Sequence, residues 1–493
     1  MAAFLVSIWH QLRRGTFLTH VLILVGGTAL SQALLFLSSP IITRLYTPDD
    51  FGAWSLIQSF SLIFSVVASW RYDVSIVLPE NDEEAANLFA ASVLISVGMS
   101  ILLLLSIAFF GRPVSQLLGI EEIGQWLWLL PLMLLSTGLY QSSNFWSTRK
   151  QQFMRLAIAT LTQASVTIST QIGVPVIMGI NVGASGLIMG TIAGQLTGTG
   201  LLTLKILLKD GNYLWQVFSW ISIKEVIYKY KNFPLYVAPY SFIGNAKKQL
   251  LLMLLGIYST TNIVGLYALS TKILQMPISL IASALNQVFF PKASKELKSG
   301  DMEKFVLKAM RLLVIITTPI FSLFVFNSRW LFSNIFGANW TNASIYGVWL
   351  ALPTFMLLYT SWLDRTYDIL DRQRLALSME IIYDILSVCL FCVPLIWMKR
   401  SDVAVATYSI VTTIYNAIWL VITFRVAKFS LRGLWQIIQY FISLFLLASL
   451  VHKIATLLFS EIGIVATDVG IAVVYYSGLC WNLYHTQKKR KAI

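Results

Sequence analysis

Charged residues are scarce in this sequence of 493 residues: only 12% are Asp, Glu, Lys or Arg, about half the share that is usual in soluble proteins. Apolar residues make up 57% of the chain. This composition excludes a soluble enzyme, a disordered chain and a single-span receptor with a large external domain. The three cysteines all fall in apolar runs, so they do not form the disulfide framework of a small secreted protein.

Catalytic and nucleotide-binding motifs are also missing. Only four histidines are present, they lie at or beyond the ends of the apolar runs, and no H-E-x-x-H metal motif occurs. No G-x-x-x-x-G-K-[ST] loop occurs either, which excludes nucleotide hydrolysis by a P-loop. We therefore predict a protein that is not an enzyme and holds no bound cofactor. If it transports a substrate, the energy comes from a proton or sodium gradient or from a partner.

Long apolar stretches are what the sequence has in abundance. Because a membrane-spanning helix needs about 20 apolar residues, the pattern predicts an all-α integral membrane protein with about 14 transmembrane helices. The predicted spans lie near 20–43, 51–70, 86–110, 124–146, 154–178, 184–207, 235–257, 263–289, 305–327, 344–363, 376–398, 403–424, 435–452 and 462–484.

The basic residues predict how the chain is oriented in the membrane. Most of the 36 Lys and Arg residues fall in the segments that are internal if the N-terminus is cytoplasmic, as the positive-inside rule requires. An even number of spans then places both termini in the cytoplasm. This distribution explains most of the net charge of +14 without a nucleic-acid partner.

An internal repeat divides the chain. Residues 46–56 resemble residues 258–269, and Pro79 and Pro291 follow them at nearly the same offset along the chain. Six spans separate the two copies, so both have the same orientation, as in transporters built from parallel repeats. We predict an N-lobe at 1–210 (spans 1–6), a cytoplasmic amphipathic linker at 211–234, a C-lobe at 235–430 (spans 7–12), and two extra spans with a basic cytoplasmic tail at 431–493.

Lysines inside predicted spans are the best candidates for a binding site. Lys247 and Lys248 lie near the middle of span 7, and Lys272 lies in span 8. A charge at this depth is costly and usually faces a cavity or a partner, so these residues predict an anion-binding cavity. The alternative is that they snorkel or pair with carboxylates of other spans. Helical spacing places Asn245 on the face of Lys248, and Gln275 on the face of Lys272.

Other charged residues lie at span ends and are weaker candidates. Arg44 ends span 1 on the predicted outer side, where it anchors the helix or contacts substrate at the outer mouth. Arg71 and Asp73 follow span 2 and form an inner gate or a local ion pair. Asp364 and Arg365 follow span 10 and form a gate at the inner mouth or a solvated helix end.

Three segments resemble a known family: RLYTPDDFG at 44–52, RYDVSIVLPE at 71–80 and QVFFPKAS at 287–294. They are similar to the bacterial polysaccharide flippases (Wzx-type) of the multidrug/oligosaccharidyl-lipid/polysaccharide exporter superfamily. The resemblance implies two lobes that alternate between inward- and outward-open states in the bacterial inner membrane. The implied substrate is an undecaprenyl-pyrophosphate-linked oligosaccharide, and a polysaccharide polymerase and a chain-length regulator are implied partners.

One departure from that family falls in span 7, where Lys247-Lys248 stands in place of Asp-Arg. The missing carboxylate puts in doubt any ion coupling that uses it.

Two alternatives stay open. A multidrug cation exporter of the same superfamily would need intramembrane carboxylates, for which Glu380 and Asp384 are the C-lobe candidates. A polysaccharide polymerase or membrane glycosyltransferase would need a sizeable catalytic loop, and the predicted loops are short.

Overall fold

The structure is a computed structural model that describes residues 17–117, 121–179, 182–299, 302–364, 366–367, 370 and 372–491. In these residues all regular structure is helical. We number the α-helices in chain order: α1 (Phe17–Leu37), α2 (Ser39–Leu45), α3 (Pro48–Phe64), α4 (Tyr72–Ser75), α5 (Asp82–Leu117), α6 (Leu130–Arg149), α7 (Phe153–Met178), α8 (Ser185–Gln216), α9 (Trp220–Lys229), α10 (Ala238–Tyr258), α11 (Thr261–Ser299), α12 (Met302–Leu331), α13 (Ala343–Thr360), α14 (Gln373–Ile396), α15 (Ser401–Val426), α16 (Leu431–Leu458) and α17 (Glu461–Lys491).

Each of the fourteen predicted spans lies mostly in helical structure, although 20–43 covers two helices and 51–70 extends past the end of α3; the predicted all-α membrane fold is confirmed. By length and composition alone, seven helices in the described part of the chain are long and apolar enough to cross a membrane. They are α5, α8 and α12 to α16, and shorter apolar helices accompany them at 249–258 and 462–478. The protein is therefore a multi-pass membrane protein.

Local signals explain where helices begin. Thr47 caps α3: its hydroxyl accepts a hydrogen bond from the Asp50 amide at 3.3 Å, and the Asp50 carboxylate accepts one from the Thr47 amide at 2.8 Å. This reciprocal capping box is followed by Pro48 at the first helical position, where its missing N–H costs nothing. The first segment of the sequence repeat thus begins a helix at the Thr-Pro pair.

The chain divides into two compact units, residues 1–268 and 269–493. The division falls inside α11, whereas the lobes predicted from the repeat meet at the linker 211–234. The difference arises because α10 packs on α3 of the first unit: Gly256 lies against the Leu56 side chain, and Ser59 donates a hydrogen bond to Gln249 at 3.1 Å. The lobe boundaries stay a prediction.

The first unit is held together by small and hydroxyl side chains. In α8, Gly190, Gly194 and Gly198 contact α7 so closely that an added Cβ would lie within 3.0 Å of atoms of that helix. Hydroxyl pairs join α6 to its neighbours, including Ser142 with Ser92 of α5 at 2.7 Å. Where helices cannot gain from a hydrophobic effect between them, close packing and interhelical hydrogen bonds drive association. The glycine stripe of α8 therefore serves helix packing.

The predicted linker forms a short amphipathic helix, α9. Ser219 caps it, and Ile223 and Val226 are buried against the first unit. The opposite surface exposes Trp220 and Tyr228. Its position on the inner leaflet stays a prediction.

The second unit has its core around α12. Side chains of α12 pack with the end of α13, with α15 and with α16. The core residues with the largest side chains are Trp362, Tyr367, Trp419 and Phe424, each at most 4% exposed. The two extra helices, α16 and α17, pack against α12 and against each other.

Candidate functional site

The predicted site residues of α10 lie where the contact between α10 and α3 ends. Its C-terminal half packs on α3, whereas its N-terminal half exposes Tyr240 and Ile243. Asn245 and Lys247 are half-buried at the transition between the two halves. Lys248 belongs to the same helix, but its side chain lies outside the described residues. The cation of Lys247 is thus held on a part of α10 that is only partly covered by protein.

The second group of predicted site residues lies on α11, in the second unit. Lys272 is half-buried and Gln275 is exposed, whereas Ile273 and Leu274 between them are buried. The polar face predicted from helical spacing is therefore less buried than the apolar residues between its members. Lysine and glutamine on such a face can both donate hydrogen bonds to an anion or a sugar hydroxyl.

The repeated glycines meet each other within the first unit. A Cβ added at Gly52 of α3 would lie 1.9 Å from the carbonyl oxygen of Thr261, and one added at Gly265 of α11 would lie 1.8 Å from that of Pro48. The contact is reciprocal, since each glycine faces the carbonyl four residues before the other. Asp49 extends it by accepting hydrogen bonds from Thr261 at 2.8 Å and Asn262 at 2.9 Å. The two copies of the repeat motif thus pack directly against each other.

Arg44 lies just before this glycine contact in the chain. It lies in the last turn of α2 and is exposed. An arginine near a helix C-terminus is favoured by the helix dipole, which agrees with the anchoring alternative. Its role at an outer mouth stays a prediction.

Arg71 and Asp73 lie in a strained turn between α3 and α4. Trp70 and Arg71 have φ values of 48° and 63°, in the left-handed region that such residues rarely adopt. Asp73 is fully buried and accepts a hydrogen bond from Ser69 at 2.5 Å. In the described part of the chain, Asp73 Oδ2 and Arg71 Nε are buried without a hydrogen-bond partner. The turn therefore holds a buried carboxyl close to a half-buried guanidinium, and neither has a full set of hydrogen bonds.

Burial raises the pKa of the Asp73 carboxyl above its ordinary value of 3.8, and the Ser69 hydrogen bond and the Arg71 charge offset only part of the effect. A carboxyl whose folded-state pKa is raised stabilises the fold most below its unfolded pKa, and this stability is lost as pH rises through the folded pKa. We expect Asp73→Asn to remove that part of the pH dependence of the unfolding temperature.

The matched control for this variant is Glu80→Gln, because Glu80 is an exposed carboxylate nearby. Melting the purified protein across acidic pH measures the effect. An unchanged pH profile in Asp73→Asn would contradict the interpretation of the buried carboxyl. Normal stability with lost transport would favour the gating role.

The other predicted gate follows α13. Asp364 is exposed, although Trp362 and Leu363 before it are buried. Arg365 lies outside the described residues. The gate at the inner mouth stays a prediction.

Sequence reasoning missed an ion network at the start of α5. Asp82 pairs with Arg149 at 3.0 Å and Lys150 at 2.5 Å, and Glu84 pairs with Lys229 at 2.5 Å. Acidic side chains are also favourable at a helix N-terminus. The signal was present, because an acidic run opened one helix and basic residues closed its neighbour, but nothing in the sequence showed that these ends lie side by side.

This arrangement of long helices is the fold of membrane transporters. It is similar to a structure of the lipid II flippase MurJ in an inward closed conformation, with TM-score 0.69 and 13% identity over 94% of this chain and 100% of that chain. It also resembles an inward-facing MATE multidrug resistance transporter of the MOP superfamily, with TM-score 0.59 and 12% identity over 83% and 95% of the two chains. The eukaryotic MATE transporter AtDTX14 gives TM-score 0.51 and 12% identity over 85% and 98%.

The family described as polysaccharide biosynthesis protein matches residues 41–345. The chain belongs to this family, which confirms the family indicated by the three sequence segments. No curated protein sequence matches the chain.

Proposed function

We propose that this protein flips undecaprenyl-pyrophosphate-linked oligosaccharide repeat units from the cytoplasmic to the outer leaflet of the bacterial inner membrane, by alternating access through a cationic path. The observation that carries the proposal is the pair of partly covered lysines, Lys247 and Lys272, on long helices of a polysaccharide biosynthesis family member. The MurJ-like fold supports it, because the protein with that structure is a lipid flippase.

The chemistry of the substrate fits the proposed residues. A pyrophosphate carries negative charge and several acceptor oxygens, which lysines bind by charge-assisted hydrogen bonds. Lys247, Lys248 and Lys272 would bind this group, while Asn245, Gln275 and Arg44 would donate hydrogen bonds along the path. An inside-negative membrane potential would assist outward movement of the anion by about 2.3 kcal/mol per charge per 100 mV.

The proposal also includes the orientation of the chain, the gating residues and the partner proteins. Both termini lie in the cytoplasm, and Arg71, Asp73, Asp364 and Arg365 control the inner mouth. A polysaccharide polymerase and a chain-length regulator receive the product. Coupling to protons or sodium is a further element of the proposal.

A second candidate function is export of cationic drugs. It is favoured by the MATE-like fold and by two carboxylates of α14, the half-buried Asp384 and the exposed Glu380. Replacing both with amides would abolish drug resistance if this function is correct and would leave oligosaccharide export intact if it is not.

The test of the proposed function is the side of the membrane on which lipid-linked oligosaccharides accumulate in a deletion strain. We expect them inside, protected from a glycosidase added to the periplasm, and exposed once the gene is restored. Unchanged sidedness, together with lost resistance to a cationic drug, would overturn the proposal in favour of the second candidate.

A further inference from the structure

Three polar side chains meet near the ends of α12, α16 and α17, apart from the lysines described above. His452 Nδ1 lies 2.7 Å from Asp468 Oδ2, and Asn327 Nδ2 lies 2.8 Å from the same oxygen. The Asp468 side chain is 8% exposed and that of His452 is 21% exposed. All three helices belong to the second unit. Ionisable groups inside membrane helices are costly and usually have a function.

The hydrogen bonds favour one tautomer of His452. Asn327 donates one amide hydrogen to the Leu323 carbonyl at 3.2 Å and the other to Asp468 Oδ2. With Asp468 ionised that oxygen is an acceptor, and the tautomer in which the His452 Nδ1–H donates to it as well fits this geometry. The second ring nitrogen, Nε2, is left as the atom on which a further proton binds.

We propose that His452, Asp468 and Asn327 form a proton-binding site. With neutral imidazole the His452–Asp468 pair carries a net charge of −1, and with a proton on Nε2 its net charge is zero. The Phe326 ring stacks on the imidazole, with centroids 4.9 Å apart, and an aromatic face favours the cationic ring. Histidine suits this role because its charge changes near neutral pH.

The site lies on the same helix as Pro319 of α12. Pro319 lacks the N–H that would bond the Ile315 carbonyl, and the Tyr475 hydroxyl of α17 donates to that carbonyl at 3.1 Å. Tyr476 donates to the next carbonyl, that of Ile316. Helix α17 therefore holds α12 both at the proline and at Asn327. Binding a proton changes the charge within the contact that joins these helices.

The site lies near one end of these helices. His452 lies six residues before the end of α16, and Asp468 lies seven residues after the start of α17. In the predicted orientation these ends face the outside, from which the proton would arrive. Among the described side chains close by on these helices, Lys453 and Arg329 are charged, and both are exposed.

The binding of the proton stands on this geometry alone, whereas its use in export rests on the proposed function. The test compares His452→Gln and Asp468→Asn with wild type. His485→Gln is the matched control, since His485 follows Asp468 by 17 residues along the same helix. The purified protein is melted between about pH 5 and 8, and polysaccharide export is measured in cells while the external pH is varied over the same range.

We expect the unfolding temperature of wild type and of the control to change with pH over this range, and this change to be smaller in His452→Gln and Asp468→Asn. Export would lose its dependence on external pH in the same two variants. A lower unfolding temperature with an unchanged pH profile would overturn the proposal and leave a purely structural contact. A flattened melting profile with normal oligosaccharide sidedness in the deletion strain would retain the proton site and refute the flippase function.

Discussion

Replacing Lys272 with alanine is expected to lower the rate of oligosaccharide export by about 10- to 100-fold, since a hydrogen bond to a charged group contributes about 1.5–3 kcal/mol. Lys272 is half-buried on α11, on the same helix face as the exposed Gln275. Lys272→Arg keeps the positive charge and should retain most of the activity.

The control is Lys308→Ala, which removes an exposed lysine on the neighbouring helix α12 and should leave export unchanged. Export is measured as surface polysaccharide at matched protein levels in the membrane. Because Lys248 is assigned the same role, the double variant Lys248→Ala with Lys272→Ala should be inactive. Full activity of the double variant would refute the proposed role of these cations.

Among the glycines in the described part of the chain, Gly52 and Gly265 are expected to give the largest structural effects when changed to alanine, because their new Cβ would meet backbone atoms. The new Cβ would overlap a backbone carbonyl of the facing helix, at 1.9 Å in the first case and 1.8 Å in the second. Backbone atoms cannot rotate away as a side chain can, so α3 and α11 must separate. Overpacking of this kind costs about 1–3 kcal/mol and occasionally more. The Asp49 hydrogen bonds to Thr261 and Asn262 would lengthen as well.

Two other helical glycines provide matched controls. Gly98 and Gly244 have open space where a Cβ would lie, so Gly98→Ala and Gly244→Ala should be neutral or stabilise their helices by about 0.5–1 kcal/mol. Unfolding temperature and membrane abundance of the four variants are the measurements. Wild-type stability of Gly52→Ala and Gly265→Ala would show that the two repeat motifs do not stay in contact in the membrane.

Much of the fold could be predicted because a membrane helix requires a long run of apolar residues, and such runs are visible directly in the sequence. The repeat was equally accessible: matching Gly52 with Gly265 identified two residues that prove to touch. The four-residue spacing of Gly190, Gly194 and Gly198 is likewise visible in the sequence, and these residues lie where α8 packs closely on α7. In each case the signal is local or periodic, and sequence spacing preserves it.

The contacts that could not be predicted are those that depend on which helix ends lie side by side. Asp82 and Arg149 pair across 67 positions of the chain, and Asn327 and Asp468 across 141. No periodicity connects such residues. The unit boundary differs from the predicted lobes for the same reason, since α10 packs on α3, the second span of the predicted N-lobe, rather than only with the helices that follow it.

The left-handed backbone conformation of Trp70 and Arg71 could not be predicted from the sequence either. Left-handed conformation is expected at glycine or asparagine, not at tryptophan followed by arginine. The spacing of Arg71 and Asp73 predicted a gate or an ion pair between the two residues. The raised pKa of Asp73, however, results from its burial, which the sequence does not show. Burial of a turn is set by the helices around it.

The most direct test of the central claim is the position of undecaprenyl-linked oligosaccharides in a deletion strain complemented with wild type or with Lys272→Ala. The account predicts that a periplasmic glycosidase reaches the oligosaccharides when wild type is present and not when Lys272→Ala is present. Glycosidase access that is the same in the deletion strain and in both complemented strains would contradict the claim that this protein moves them across the membrane.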